Sequence, residues 1–342
     1  MNTSLKPDSE QSTFVKKDKK VFYMIGIVLL VVFLVIGNFI LNGYYLRLIN
    51  LVGINIILVV SLNITNGFVG IFSLGHAAFM AIGAYTTAIL SYPLDKKPFI
   101  FMEMPEWLLN IHLPFIVSLI LGGIFAVCFA FILGYPVLKL RGHYLAVATL
   151  GFMIIVTVLA SNLREITRGK SGINALPTYT NIWWVYIVAA ITIYVAWRLL
   201  NSSYGRGMLA IREDDLAAEA IGVNILKHKM MAFCIGAFFA AIGGSLYGHL
   251  VSAINPNMFS YSMTFGLVVM LVIGGLGSIP GAILGAVLIT LIPELVLNKL
   301  ERGIEVFGIQ IPQMYGVSQV IMSIALIVIL ILRPKGLLGK NT

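Results

Sequence analysis

The side chains able to do chemistry are few and scattered. The five histidines, at 76, 112, 143, 228 and 249, lie far apart with no second ligand at helical or turn spacing. That pattern suits neither a metal site nor a clustered acid–base centre. Cys128 and Cys234 both fall inside apolar stretches, where they read as small packing residues without a disulfide framework or metal cluster. Gly169-Lys170-Ser171 looks like the end of a phosphate-binding loop, but Arg164 stands where that loop needs its earlier glycine. GGLGSIPG, residues 274–281, resembles a dinucleotide fingerprint, yet Pro280 replaces the last glycine and no strand precedes it. A tight turn between helices is the better reading there. Two polar sets remain. Asn63, Asn66, Ser73 and His76 stand among small residues in NITNGFVGIFSLGHAAFMAIGAY, where they could bond a polar solute or a neighbouring helix. Arg212, Asp214, Asp215 and Glu219 stand in the hydrophilic stretch 202–233, where they could dock a partner.

The elements that must carry these residues are membrane helices. Of 342 residues 59% are hydrophobic and 11% charged, with a mean hydropathy of +0.96; soluble domains carry about a quarter charged residues. Crossing roughly 30 Å of hydrocarbon takes about 20 helical residues. The expected fold is an all-α, polytopic bundle of about ten spans, near 21–41, 44–62, 66–91, 113–138, 143–161, 182–200, 230–253, 262–276, 280–297 and 315–332. The pair around GGLGSIPG could instead be one re-entrant hairpin. The first run is as long as a full span and is followed by NGYYLRL with no small-residue cleavage site, so a retained helix is expected. This divides the chain into a polar cytoplasmic tail (1–20), a transmembrane domain (21–332) with a cytoplasmic loop at 202–229, and a C-terminal tail (333–342). Segments between spans leave no room for a catalytic domain.

The net charge of +9 could suggest nucleic acid, but its distribution reads as topology. With both termini inside, fifteen of the 23 cations fall on the inner face, the direction of the positive-inside rule. An even number of crossings follows, with membrane lipid and no nucleic acid as partner.

Glycine and alanine at small-xxx-small spacing let helix backbones approach closely. Gly67, Gly70, Gly75 and Gly83 with Ala77, Ala78, Ala81 and Ala84 supply this spacing across the third span, which is expected inside the bundle. Glycine also permits a break where a helix lines a cavity, exposing backbone groups to polar cargo. Asn63, Asn66, Ser73, Gly75 and His76 are then candidates for a translocation path. The alternative for His76 is an interhelical hydrogen bond. Glu294 reads as an acid snorkelling near the outer boundary. A glycine-rich break followed by Ala/Gly-rich helix occurs both here and at GGLGSIPGAILGA, an internal echo.

Within 202–233 the good helix formers from Met208 to Ala220, stopped by Gly222, predict a short surface helix. Helical spacing puts Leu209, Leu216 and Ala220 on one side and Arg212, Asp215 and Glu219 in a row on another. A solvated helix with ordinary salt bridges would read the same way.

This stretch resembles the cytoplasmic coupling loop of ABC importer permeases. Together with NITNGFVGIFSLGHAAFMAIGAY, LRGHYLAVATLGF, SGINALP, GGLGSIPGAILGA and RPKGLLG, it is similar to the permease subunit of branched-chain amino acid importers. The six blocks spread over residues 63–339. The wider importer signature has Glu-Ala-Ala and then a glycine; here the order is Ala217-Ala218-Glu219-Ala220-Ile221-Gly222.

The resemblance implies a non-enzymatic transport subunit in a bacterial inner or plasma membrane. Its cargo would be a branched-chain amino acid, or urea or a short amide. It implies a second homologous permease, two cytoplasmic ATP-binding subunits and an extracytoplasmic solute-binding protein as partners. ATP and Mg would be used by those subunits, with no cofactor on this chain. Arg212, Asp214, Asp215, Ala218, Glu219 and Gly222 would couple it to the ATPase. An ion-coupled carrier or channel is the alternative class, disfavoured by the near absence of ionisable residues in mid-span.

Overall fold

The computed structural model describes residues 37, 41–140, 142–297, 305–306, 309–310, 317–333 and 336–339. The expected first span and N-terminal tail thus lie almost wholly outside the described residues, as does much of the C-terminal tail. The chain divides into a small unit, residues 1–47, and a large one, residues 48–342. Within the small unit the rings of Tyr44 and Tyr45 meet edge to face, with centroids 5.4 Å apart.

The other expected segments are helical. In chain order they are α1 (Gly43–Asn63), which continues into a π-turn (Ile64–Phe68), α2 (His76–Ser91), α3 (Phe115–Val137), α4 (His143–Asn162) and α5 (Ile182–Leu200). Next come α6 (Ser203–Glu213), α7 (Asp215–Ala220), α8 (Ile225–Val251), α9 (Tyr261–Gly274), α10 (Ile279–Ile292) and α11 (Val317–Leu332). Five of these, α1 with its π-turn, α3, α4, α5 and α8, are long and apolar enough to cross a membrane, and α2, α9 and α10 are shorter apolar helices. The third expected span is broken: α1 runs through Asn63 into the π-turn, residues 70–75 are not helical, and helix resumes only at His76.

At the centre α2, α3 and α8 pack on one another. Small residues make this possible, as their spacing predicts. A methyl group on Gly83 of α2 would collide with the Ala241 carbonyl of α8, and one on Gly244 of α8 with the backbone of Met80. The α9–α10 hairpin is equally close, with Gly274 facing the Gly281 carbonyl. Burial is unequal across the bundle. The most apolar stretches of α1 and α8 are 89% and 72% buried, whereas those of α3 and α5 are each 33% buried. The latter helices present apolar faces such as Phe131, Ile132, Ile187 and Tyr194 outward, as a lipid boundary or a helix–helix interface requires.

One end of the bundle is closed by ordered loops. A two-residue strand, β1 (Ile173–Asn174), pairs antiparallel with β2 (Ala253–Ile254). Beside it, donors reach into loop carbonyls: Tyr92 Oη donates to Ala175 O at 3.2 Å, and Thr180 Oγ1 donates to Leu246 O at 2.9 Å. Lys97 is fully buried, and its ammonium donates to the carbonyls of Leu108 and Ile111, both at 2.7 Å. Burial lowers its pKa to about 8, because desolvation disfavours the charged form.

Candidate functional site

The opposite end holds both polar sets. Where α1 ends, Asn63 is fully buried and its amide grips the turn between α9 and α10. Its Oδ1 accepts from Gly277 N at 2.9 Å and its Nδ2 donates to Ser278 O at 3.2 Å. A side-chain amide offers one acceptor and two donors, so a single Asn satisfies the Gly277 N–H and adds a second donor to the Ser278 carbonyl, which also accepts from Ala282 N. Asn66 does the same for its own loop: Nδ2 donates to Ser73 O at 3.3 Å and Oδ1 accepts from Ser73 N at 3.2 Å. His76 Nε2 lies 2.9 Å from Ser61 Oγ. Because the Ser61 hydroxyl donates to Leu58 O, the imidazole N–H is left as the donor.

All five path candidates, Asn63, Asn66, Ser73, Gly75 and His76, are therefore buried, and the four side chains among them are bonded to protein groups. They form one cluster around the break. A restarted helix leaves its first N–H groups without intrahelical partners. Here Leu74 N donates to Thr149 Oγ1 at 3.0 Å and Ala77 N donates to Thr264 Oγ1 at 3.1 Å. Sequence reasoning missed Thr149 and Thr264. Each is one hydroxyl in an apolar helix, and only the fold tells which of many such threonines faces a broken backbone. Gly75 is equally committed, since a methyl there would stand 2.8 Å from the Thr149 carbonyl.

The docking candidates sit on a helix pair instead of the single expected helix. Ser202 caps α6 by accepting from Gly205 N at 3.1 Å. Asp214 then leaves helical geometry at φ −157° and caps α7, its Oδ1 accepting from Leu216 N at 2.8 Å and Ala217 N at 3.1 Å. An aspartate that can bond N2 and N3 donors favours a new start over continuation, which explains the break. The expected row of Arg212, Asp215 and Glu219 is dispersed by it. Arg212 turns to the glycine break, its Nη1 donating to Gly67 O at 3.0 Å. Asp215 pairs with the mostly buried Lys229 at 2.9 Å. Glu219 lines a cleft of about 480 Å³ with Lys139, Gly222 and Lys229. Ala218 is buried, and Gly222 ends α7 at φ +85° while Val223 N returns to Ala218 O at 3.0 Å. Leu216 and Ile221 do not join the core: they are 64% and 76% exposed, at either end of α7.

A bundle of apolar helices around a glycine-broken centre, with a capped helix pair between two of its long members, is the architecture of an integral membrane protein. The chain belongs to the family of the branched-chain amino acid transport system permease component, which it matches over residues 44–331. It is similar to the high-affinity branched-chain amino acid transport system permease protein LivM of Escherichia coli (strain K12), 32% identical over 75% of this chain and 64% of that protein. It also resembles the probable branched-chain amino acid transport permease protein LivM of Methanocaldococcus jannaschii, 25% identical over 84% of this chain and 91% of the relative. The high-affinity permease protein LivH of Salmonella typhimurium is 24% identical over 80% of this chain and 87% of its own length. The chain thus spans 64% of the length of the Escherichia coli relative. No solved structure matches it.

Proposed function

We propose that this chain is a transmembrane subunit of an ABC importer that carries branched-chain amino acids into the cytoplasm. The family match over 44–331 supports the class, and the names of the relatives support the cargo. In this reading the chain crosses a bacterial plasma membrane about ten times with both termini inside, and pairs with a homologous permease. Two cytoplasmic subunits bind and hydrolyse ATP with Mg, and an extracytoplasmic protein delivers the solute. The observation that carries the docking role is α7, which exposes Leu216 and Ile221 from a rigidly capped helix. Apolar anchors on a surface otherwise rich in charge are what a partner groove would take. Glu219 and Gly222 flank this surface; Asp214, Asp215 and Ala218 hold its shape.

The test is expression of the whole gene set followed by purification through this chain. Recovered ATPase subunits, and ATP-dependent uptake of radiolabelled leucine in proteoliposomes containing the binding protein, support the importer. Leucine uptake by the chain alone would make it a carrier. Uptake of urea in place of leucine would leave the class and change the cargo.

A further inference from the structure

Arg212 occupies a position that the docking role does not explain. It lies in the last turn of α6, and although the residue is exposed, its guanidinium reaches across to the break. Its Nη1 donates to the carbonyl of Gly67, within the π-turn that ends α1. The carbonyls at a helix end lack intrahelical partners and carry the negative end of the helix dipole, so a fixed cation is favoured there. Two further glycines make room. A methyl group on Gly70 would stand 3.2 Å from Arg212 Cγ, and one on Gly277 would collide with Nη1 itself. Gly70 and Gly277 hold φ of +75° and +78°, a backbone conformation that disfavours larger residues in any case.

Gly277 belongs to the turn that Asn63 grips. One guanidinium therefore touches the end of α1 and the α9–α10 turn at once. It is joined through Asp214, two residues on, to the capped helix α7 with its exposed Leu216 and Ile221. A planar, always charged fork suits such a two-sided contact better than the flexible point charge of lysine.

We infer that Arg212 is the positioning residue that ties the α6–α7 pair to both chain breaks, so that displacement of α7 by a docked partner shifts the end of α1 against the α9–α10 turn. This rests on the importer reading above. It separates two roles in one loop: Leu216 and Ile221 hold the partner, and Arg212 passes its movement on.

The experiment uses the complete complex in proteoliposomes with the binding protein and radiolabelled leucine. For Arg212→Gln the expected result is wild-type recovery of ATPase subunits but at least a tenfold fall in leucine taken up per ATP hydrolysed. Arg212→Lys should recover part of the loss. Gly277→Ala, which displaces the guanidinium without removing it, should mimic Arg212→Gln, and the double variant should be no worse than either single one. In contrast, Leu216→Asp should lose the ATPase subunits themselves. Loss of those subunits in Arg212→Gln would make Arg212 a docking contact and overturn the inference, as would a leucine-to-ATP ratio within twofold of wild type. Should the wild-type complex fail to move leucine while its ATPase still responds to the binding protein, the cargo reading fails alone. The same variants are then scored on that response, with the same tenfold criterion.

Discussion

The two ends of the bundle solve the same problem by different means. At both, the chain leaves helix in mid-protein and exposes backbone groups that apolar surroundings cannot satisfy. At the loop end, connections are held between loops, as by Tyr92 on Ala175 and Thr180 on Leu246, and also within one loop, as by Lys97 on the carbonyls of Leu108 and Ile111. At the broken-helix end, single polar side chains join segments remote in sequence: Asn63 and Gly277, Arg212 and Gly67, Thr264 and Ala77. Lys97 is thus a local clip, and the broken-helix end is a junction. Removing a clip should loosen one loop, whereas removing a junction residue should disturb several helices together.

The largest effect is expected from Gly75→Leu. Its extra atoms must fit where the Thr149 backbone already stands 2.8 Å from a methyl position. Overpacking of this kind costs about 1–3 kcal/mol or more, and it displaces the start of α2. The thermal midpoint of the purified protein should fall further than for any loop-end variant; an unchanged midpoint would break the comparison. Asn63→Ala comes next, at about 1–3 kcal/mol, because it leaves the half-buried N–H of Gly277 in the α9–α10 turn without its acceptor. Hydrogen exchange should then rise at Gly277 and also near the end of α1, and a rise confined to residue 63 would make Asn63 a local clip.

Lys97 sharpens the other side. Its folded pKa of about 8 lies below the ordinary lysine value of about 10.4. Between these values the unfolded chain holds more protons than the folded one, so stability should rise with pH across that window and be independent of this group below it. A rise on the order of 1–2 kcal/mol is expected, and Lys97→Met should abolish it; a rise that survives in Lys97→Met would assign it to another group. The smallest effect belongs to Gly222→Ala, where φ of +85° penalises any side chain but no atom lies within reach of the added methyl. A cost of about 1 kcal/mol confined to the end of α7 follows, seen as faster exchange at Val223 with an unchanged thermal midpoint.

Much of this was legible in the sequence because it rests on local grammar. Apolar runs gave the helices, and glycine between Asn63 and His76 foretold the break. Gly222 marked the end of the cytoplasmic helix. The sequence pattern suggests a partner contact at Asp214 where the structure has a cap, although Asp before a helical start is a recognised signature. The expected polar row therefore spans a break and does not exist as a row. The partners of Asn63 and Arg212 were not legible at all, because they lie 214 and 145 positions away. Nor was it evident that the path candidates are bonded to protein groups, since a polar residue in an apolar run looks the same whether it faces a cavity or a neighbouring helix.

The three caps of the cytoplasmic loop, Ser202, Asp214 and Asn224, each bond a backbone donor two or three residues on. Contacts so close in sequence close small loops at little entropic cost and form early. The junction between Asn63 and the α9–α10 turn has the opposite character, since its two partners are made at opposite ends of synthesis. The helix pair can thus be complete on the nascent chain while the end of α1 still waits. Only after residue 278 has emerged can Asn63 close on its turn, which makes that closure a late step of biogenesis.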